Sequence, residues 1–167
     1  MVKLITHALI SLGATALILT QTGHGALPVL GVGLLTAYLT DQLIDRLGHE
    51  QGPHGPRRSW TTHTVLLAQV WGTILGLAVG TAAEQILQPN GLIAAAVTGG
   101  LAASTLHLFA DSLCEAGIYV PTMNPAHRLK RWHMATLPYN SPALNLTLAL
   151  LGFLALAYAY FHLLAPA

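Results

Sequence analysis

The sequence predicts an all-α membrane protein with about five transmembrane helices in a single domain over residues 1–167. Hydrophobic residues make up 53% of the chain and charged residues only 8%, whereas about 25% of the residues of soluble domains are charged. The mean hydropathy of +0.58 agrees with this composition. In addition, apolar stretches of about 20 residues, the length that crosses a bilayer, recur along the chain. A soluble fold would have too little charged surface to stay dispersed.

Five apolar segments are the predicted spans. They cover residues 4–22, 26–43, 65–83, 91–110 and 144–164. The first follows Lys3, as the apolar part of a signal peptide would, but no convincing small-residue cleavage site comes after it. We therefore expect it to be retained as a span. Gly72-x3-Gly76-x3-Gly80 and Gly99-Gly100 in the third and fourth spans predict close helix packing.

Two polar segments separate the spans, at residues 46–62 and 116–142. The second contains a basic and aromatic stretch from His127 to His133, which we interpret as an interfacial helix that binds anionic headgroups. Its predicted headgroup-binding residues are Arg128, Lys130, Arg131 and Trp132. Membrane lipids are the expected partners, a homo-oligomer is left open, and the net charge of +1 gives no reason to expect nucleic acid.

The distribution of basic residues predicts the orientation in the membrane. With five spans, the N-terminus and both polar segments share one side, which then carries all seven Lys and Arg: Lys3, Arg46, Arg57, Arg58, Arg128, Lys130 and Arg131. Because basic loops stay in the cytoplasm, we expect a multi-pass cell-membrane protein with a cytoplasmic N-terminus and an external C-terminus.

Two polar triplets stand at the ends of apolar stretches, Asp41-x3-Asp45-x3-His49 and His107-x3-Asp111-x3-Glu115. Residues four apart share one face of a helix, and carboxylates at a membrane helix are costly unless they bind, pair or catalyse. His7 and His63 lie at a similar predicted depth. Imidazole and carboxylate are ligands of divalent metals, and the single cysteine, Cys114, excludes a cysteine-based zinc site. The alternative to metal binding is that these residues lie at the membrane interface, where they cap helices and contact lipid headgroups.

Several short motifs between residues 4 and 121 occur in a recognisable order. They are Thr6-His7, the cluster from Asp41 to His49, Thr62-His63-Thr64, and the stretch from Leu106 to Leu113 followed by Gly117-Ile118. Together they resemble the LexA-regulated, membrane-bound metal-dependent hydrolases (the YdjM-like proteins), and still more closely an uncharacterised group of related archaeal membrane proteins.

The resemblance implies a metal-dependent hydrolase and a set of candidate ligands. With His49 added from the helical spacing, the candidates are His7, Asp41, Asp45, His49, His63, His107 and Asp111. Zinc is the expected metal, with manganese and iron as alternatives. Two departures weaken the match. The family's compact Asp-x-Asp-His is spread out here, and Arg58-Ser59-Trp60 replaces its His-Arg-Gly, so that one expected histidine is missing.

The preferred hypothesis is hydrolysis of a phosphoester or ester, possibly derived from a lipid, at the cytoplasmic face. Glu115 would act as general base or orient a ligand, and Arg57 or Arg58 would stabilise developing negative charge. The main alternative is a non-enzymatic structural or interaction protein, in which Arg46, Arg57 and Arg58 neutralise Asp41, Asp45 and Asp111. A transporter ranks third, because the carboxylates are predicted at one membrane edge and not at the midplane.

Overall fold

Five long helices and two short antiparallel hairpins make up the fold. The computed structural model describes residues 4–22, 27–52, 55–88, 90–122, 128–138 and 140–164. In chain order the elements are α1 (Leu4–Gln21), α2 (Leu27–Leu47), β1 (His49–Gly52), β2 (Gly55–Arg58), α3 (Val65–Leu87), α4 (Leu92–Ser112), β3 (Ile118–Pro121), β4 (Leu129–Trp132) and α5 (Pro142–Leu164). All five helices are long and apolar enough to cross a membrane, so the predicted fold class is confirmed.

The bounds of the elements differ from the prediction in informative ways. Helix α2 runs to Leu47, past the expected end at residue 43, and therefore includes Asp45. The polar segments fold into the hairpins β1–β2 and β3–β4. The prediction of an interfacial helix around residues 128–133 was wrong, because Leu129–Trp132 is a strand paired with Ile118–Pro121. Of the residues discussed above, Lys3 and His127 lie outside the described residues.

Helix α4 lies at the centre of the bundle and packs against α1, α2 and α3, whereas α5 packs against α1. Small residues allow these close approaches: a Cβ at Gly72 or Gly100 would overlap the other residue's carbonyl, and Gly13 meets Gly152 in the same way. The glycine patterns thus mark helix contacts, as predicted. Both hairpins lie at the same end of the bundle, which we call the hairpin end.

We expect Gly100→Ala to destabilise the bundle by about 1–3 kcal/mol, because the added methyl group must push α3 and α4 apart. Gly31→Ala is the matched control, since no atom lies within 4 Å of its added Cβ. A helical Gly→Ala change without a clash is neutral or stabilises by up to about 1 kcal/mol. Unfolding of both variants in detergent micelles measures the difference. Equal stabilities would contradict the close α3–α4 contact.

Candidate metal centre

Several histidines and aspartates lie close together at the hairpin end of the bundle. Each helix that contributes one of them begins or ends there. We call this group the histidine–aspartate cluster. It comprises His7 from α1, Asp41 and Asp45 from α2, His49 from β1, His63 just before α3, and His107 and Asp111 from α4. Residues from five parts of the chain are thus brought to one place.

Asp111 is the centre of the cluster and is only 1% exposed. Its Oδ1 lies 3.4 Å from Nε2 of His7. Its Oδ2 lies 3.3 Å from Nε2 of His63 and 3.7 Å from Nε2 of His107. Both carboxylate oxygens therefore face imidazole nitrogens.

The rings of His7 and His107 stack in parallel, with centroids 3.9 Å apart and an interplanar angle of 12°. One ligand atom from each of His7, His107 and Asp111 lies within 4.8 Å of the other two. Ligand atoms about 2.0–2.1 Å from a tetrahedral zinc ion would be about 3.4 Å apart. The three residues therefore form a group that could hold a metal ion.

In three of the four histidines the other ring nitrogen, Nδ1, makes a hydrogen bond, and only Nε2 is left without one. Nδ1 of His107 donates to Oδ1 of Asp41 over 3.0 Å, and Nδ1 of His49 donates to the carbonyl oxygen of Asp45 over 2.6 Å. Nδ1 of His63 bonds the hydroxyl of Thr62 over 2.9 Å. A carboxylate or carbonyl can only accept, so His107 and His49 carry their proton on Nδ1. Such partners commonly orient metal-ligating histidines.

Four buried Nε2 atoms have no hydrogen-bond partner among the described residues. They belong to His7, His49, His63 and His107. Buried polar atoms without a partner are rare and need an explanation. Three of them, in His7, His63 and His107, lie 3.3–3.8 Å from carboxylate oxygens, and a bound cation would explain why these atoms make no hydrogen bond.

Arg58 is the one guanidinium that enters the cluster in the described part of the chain, and it is 3% exposed. Its Nη2 pairs with Oδ1 of Asp111, and its Nη1 donates to the carbonyl of Gly117 over 2.6 Å. With neutral histidines, three carboxylates and one guanidinium leave a net charge of −2. Buried charge must be compensated, and a divalent cation has the required charge.

Gly48 allows the chain to turn from α2 into the cluster. A Cβ at this position would overlap the carbonyl of Ile44 and the ring of His63. The helix ends at Leu47, so His49 begins β1 and does not continue the helical spacing of Asp41 and Asp45. Its ring nevertheless returns to the cluster, 5.7 Å from the ring of His63.

Burial lowers the pKa of His63, which lies outside the membrane-spanning helices, although Asp111 opposes the shift. The ring is therefore neutral near neutral pH, and a neutral imidazole is the form that binds metals.

The structure does not bring every predicted site residue to the cluster. Helix α4 ends at Ser112, so Glu115 lies beyond it, and its side chain is exposed. Arg57 is exposed and pairs with Glu50 over 3.2 Å. Among the described residues no ion pair joins Arg46 to Asp41 or Asp45. The predicted arginine network thus reduces to the single pair of Arg58 with Asp111.

The predicted headgroup residues Arg128, Lys130, Arg131 and Trp132 lie on or beside β4, apart from the cluster. Sequence reasoning missed Gly117 and Tyr119, which support Arg58 through a carbonyl oxygen and a hydroxyl. Gly117 was noted only as part of the Gly117-Ile118 motif, and Tyr119 gave no sequence signal for such a role.

Comparison with known families gives one match. The model of a family described as "Protein of unknown function (DUF1286)" matches residues 2–110. The chain belongs to the DUF1286 family. The expectation of an uncharacterised family is thereby confirmed, whereas the comparison gives no support to the resemblance with metal-dependent hydrolases. The match covers α1 to α3 and nearly all of α4, and so includes every cluster residue except Asp111. Neither the curated proteins nor the solved structures gave a match.

Proposed function

We propose that this protein is a membrane-embedded, metal-dependent hydrolase whose histidine–aspartate cluster binds a divalent cation. The observation that carries the proposal is a cluster of three carboxylates and one guanidinium with four buried imidazole Nε2 atoms that have no hydrogen-bond partner among the described residues. His7, His107 and Asp111 would hold the ion, with His63 as a further ligand.

The donor set favours zinc. Imidazole nitrogen and carboxylate oxygen together suit zinc, manganese and iron, whereas magnesium and calcium prefer oxygen alone. A divalent ion in such a site polarises a phosphoryl or carbonyl oxygen and activates water for attack near neutral pH.

The chain's own residues supply the positioning. Asp41 fixes the ring of His107, and Arg58 fixes the carboxylate of Asp111 and places a positive charge beside the site. That charge can also stabilise negative charge that develops on a phosphoryl group. Asp45 and His49 are the least buried members, so they lie where water enters, and Asp45 is the carboxylate placed to accept a proton.

The substrate is a phosphoester or ester that reaches the site from the membrane surface. The cluster lies at the hairpin end, where the helices meet the two polar segments. Because this end also carries Arg46, Arg57, Arg58, Arg128, Lys130 and Arg131, the positive-inside rule assigns it to the cytoplasm.

One observation favours a second candidate function. The buried pair of Arg58 with Asp111 is what a non-enzymatic protein would use to fix its hairpin against α4. In that case protonated histidines would balance the remaining carboxylates, and the cluster would be a structural ion-pair network.

Hydrolysis assays separate the two candidates. We expect the purified protein to hydrolyse a soluble phosphodiester or an aryl ester, such as bis(p-nitrophenyl) phosphate or p-nitrophenyl acetate. A chelator should abolish this activity and added zinc, manganese or iron should restore it, because the metal supplies the activated water. Activity that is absent with every metal, or that survives exhaustive chelation, would overturn the hydrolase proposal.

A further inference from the structure

An apolar groove lies on the outside of the bundle at the hairpin end, between α3, α4 and the β3–β4 hairpin. Its volume is about 170 Å³. It is lined by Val65, Gln69, Thr105, Leu108, Phe109, Ser112, Ile118, Trp132 and Met134. Pockets for whole small molecules have volumes of about 300–1,000 Å³. This groove therefore fits a segment of one extended hydrocarbon chain.

The groove lies at the depth where lipid chains meet headgroups. Val65 is the first residue of α3 and Ser112 the last of α4, so the lining spans the boundary between helices and polar segments. Phe109 and Trp132 are 41% and 44% exposed. Aromatic side chains favour this interfacial level of the bilayer.

The register of the hairpin places a cation at the rim of the groove. Ile118 pairs with Trp132 and Val120 with Lys130, and residues two apart on a strand share a face. Ile118 and Val120 pack against the helices, so Lys130 lies on the same face of the hairpin as the groove-lining Ile118 and Trp132, and it is exposed. Arg131 lies on the opposite face, 5.7 Å from the centre of the Tyr119 ring.

The positive charge of β4 has no carboxylate partner among the residues that the structure describes. The sequence contains no Asp or Glu after Glu115, and no described carboxylate pairs with Lys130 or Arg131. The first hairpin differs, because Arg57 pairs with Glu50 and Arg58 with Asp111. The positive charge of β4 is therefore available to an anion from outside the protein.

We propose that the groove and the cationic strand together bind one membrane lipid with an anionic phosphate headgroup. One hydrocarbon chain occupies the groove and Lys130 contacts the phosphate, while Arg131, on the other face of the hairpin, adds positive charge to the strand. Resting on the proposed function, this inference narrows the substrate class to a phosphate-bearing membrane lipid.

The hairpin also connects the lipid site with the cluster. Ile118 lines the groove, and the next residue, Tyr119, contacts the segment that carries Arg58 and the cluster residue His63. Its backbone N–H donates to the carbonyl of His63 over 2.8 Å, and its hydroxyl donates to the carbonyl of Arg58 over 3.1 Å. A lipid bound at this hairpin is therefore next to the strand that supports the cluster.

Quenching of Trp132 by brominated lipids tests the proposal. In the Trp60→Phe/Trp71→Phe variant, Trp132 is the remaining tryptophan. In vesicles, we expect phosphatidylglycerol with brominated chains to quench it at a several-fold lower mole fraction than brominated phosphatidylcholine. Lys130→Gln/Arg131→Gln should remove this preference. Arg57→Gln is the control and should keep it, because Arg57 lies on the other hairpin.

Equal quenching by the two lipids in the Trp60→Phe/Trp71→Phe variant would overturn the proposal. A preference for phosphatidylglycerol that persists after Lys130→Gln/Arg131→Gln would overturn it as well. Native mass spectrometry of the wild-type protein makes the same comparison without a reporter variant, by counting retained phosphatidylglycerol and phosphatidylcholine. Retention of both lipids in equal numbers would count against the site.

The proposal of a lipid site and the proposal of a hydrolase can be refuted independently of each other. A lipid preference in a protein that hydrolyses no substrate would overturn the proposed function and leave the lipid site intact. Metal-dependent hydrolysis of soluble esters without any lipid preference would overturn only the lipid site.

Discussion

Replacing Asp111 with Asn should abolish metal binding. Asp111 is the residue whose two carboxylate oxygens face the Nε2 atoms of three histidines, and the amide removes the negative charge that a divalent cation requires. We expect the affinity for zinc to fall by more than the 10- to 100-fold that is typical of losing a residue that only orients a ligand. Competition with a fluorescent zinc chelator measures the affinity.

Glu115→Gln is the matched control, because it makes the same chemical change four residues later at an exposed position. It should keep the wild-type zinc affinity. Asp111→Asn also leaves Arg58 without its carboxylate partner, and an unpaired buried charge costs about 3–5 kcal/mol. Asp111→Asn/Arg58→Met removes both charges, so it should recover stability without recovering zinc binding. Zinc binding by this double variant at wild-type affinity would contradict the role of Asp111.

Replacing Arg58 with Met should make the stability of the protein depend on metal more strongly than that of the wild type. Without the guanidinium, Asp111 is a buried carboxylate without its cationic partner, and the expected loss is about 3–5 kcal/mol. A divalent ion at the cluster would compensate that charge. We therefore expect the melting temperature of Arg58→Met to fall in chelator and to recover when zinc is added.

Arg57→Met controls for the loss of an arginine from the same strand. Its pair with Glu50 is exposed, so its removal should change stability by less than about 1 kcal/mol. If the melting temperature of Arg58→Met is equally low with and without zinc, the cluster does not bind the ion. That result would favour the alternative in which the cluster is a structural ion-pair network.

The local part of the site could be predicted from helical spacing. Asp41 with Asp45, and His107 with Asp111, lie four apart within α2 and α4, and the ends of these helices meet at the hairpin end. The glycines of α3 and α4 likewise mark a real contact. Periodicity, hydropathy and small-residue patterns are local properties, so they can be read directly from the sequence.

The positions of the last residue of each polar triplet, His49 and Glu115, could not be predicted, because they depend on where α2 and α4 end. Helix α4 ends at Ser112 and leaves Glu115 exposed, whereas Gly48 turns the chain so that His49 returns to the cluster. The burial of Arg58 depends on the pairing of a four-residue strand and on contacts with Gly117 and Tyr119. These are tertiary contacts, to which residue spacing gives no access.

The metal content of the purified wild-type protein tests the central claim most directly. Protein prepared without chelators and analysed by elemental mass spectrometry should contain about one divalent ion per chain, since the cluster sets three carboxylates against one guanidinium and its imidazole and carboxylate groups are donors that zinc accepts. Protein that contains no metal, and still contains none after incubation with zinc, manganese or iron and removal of the excess, would contradict it.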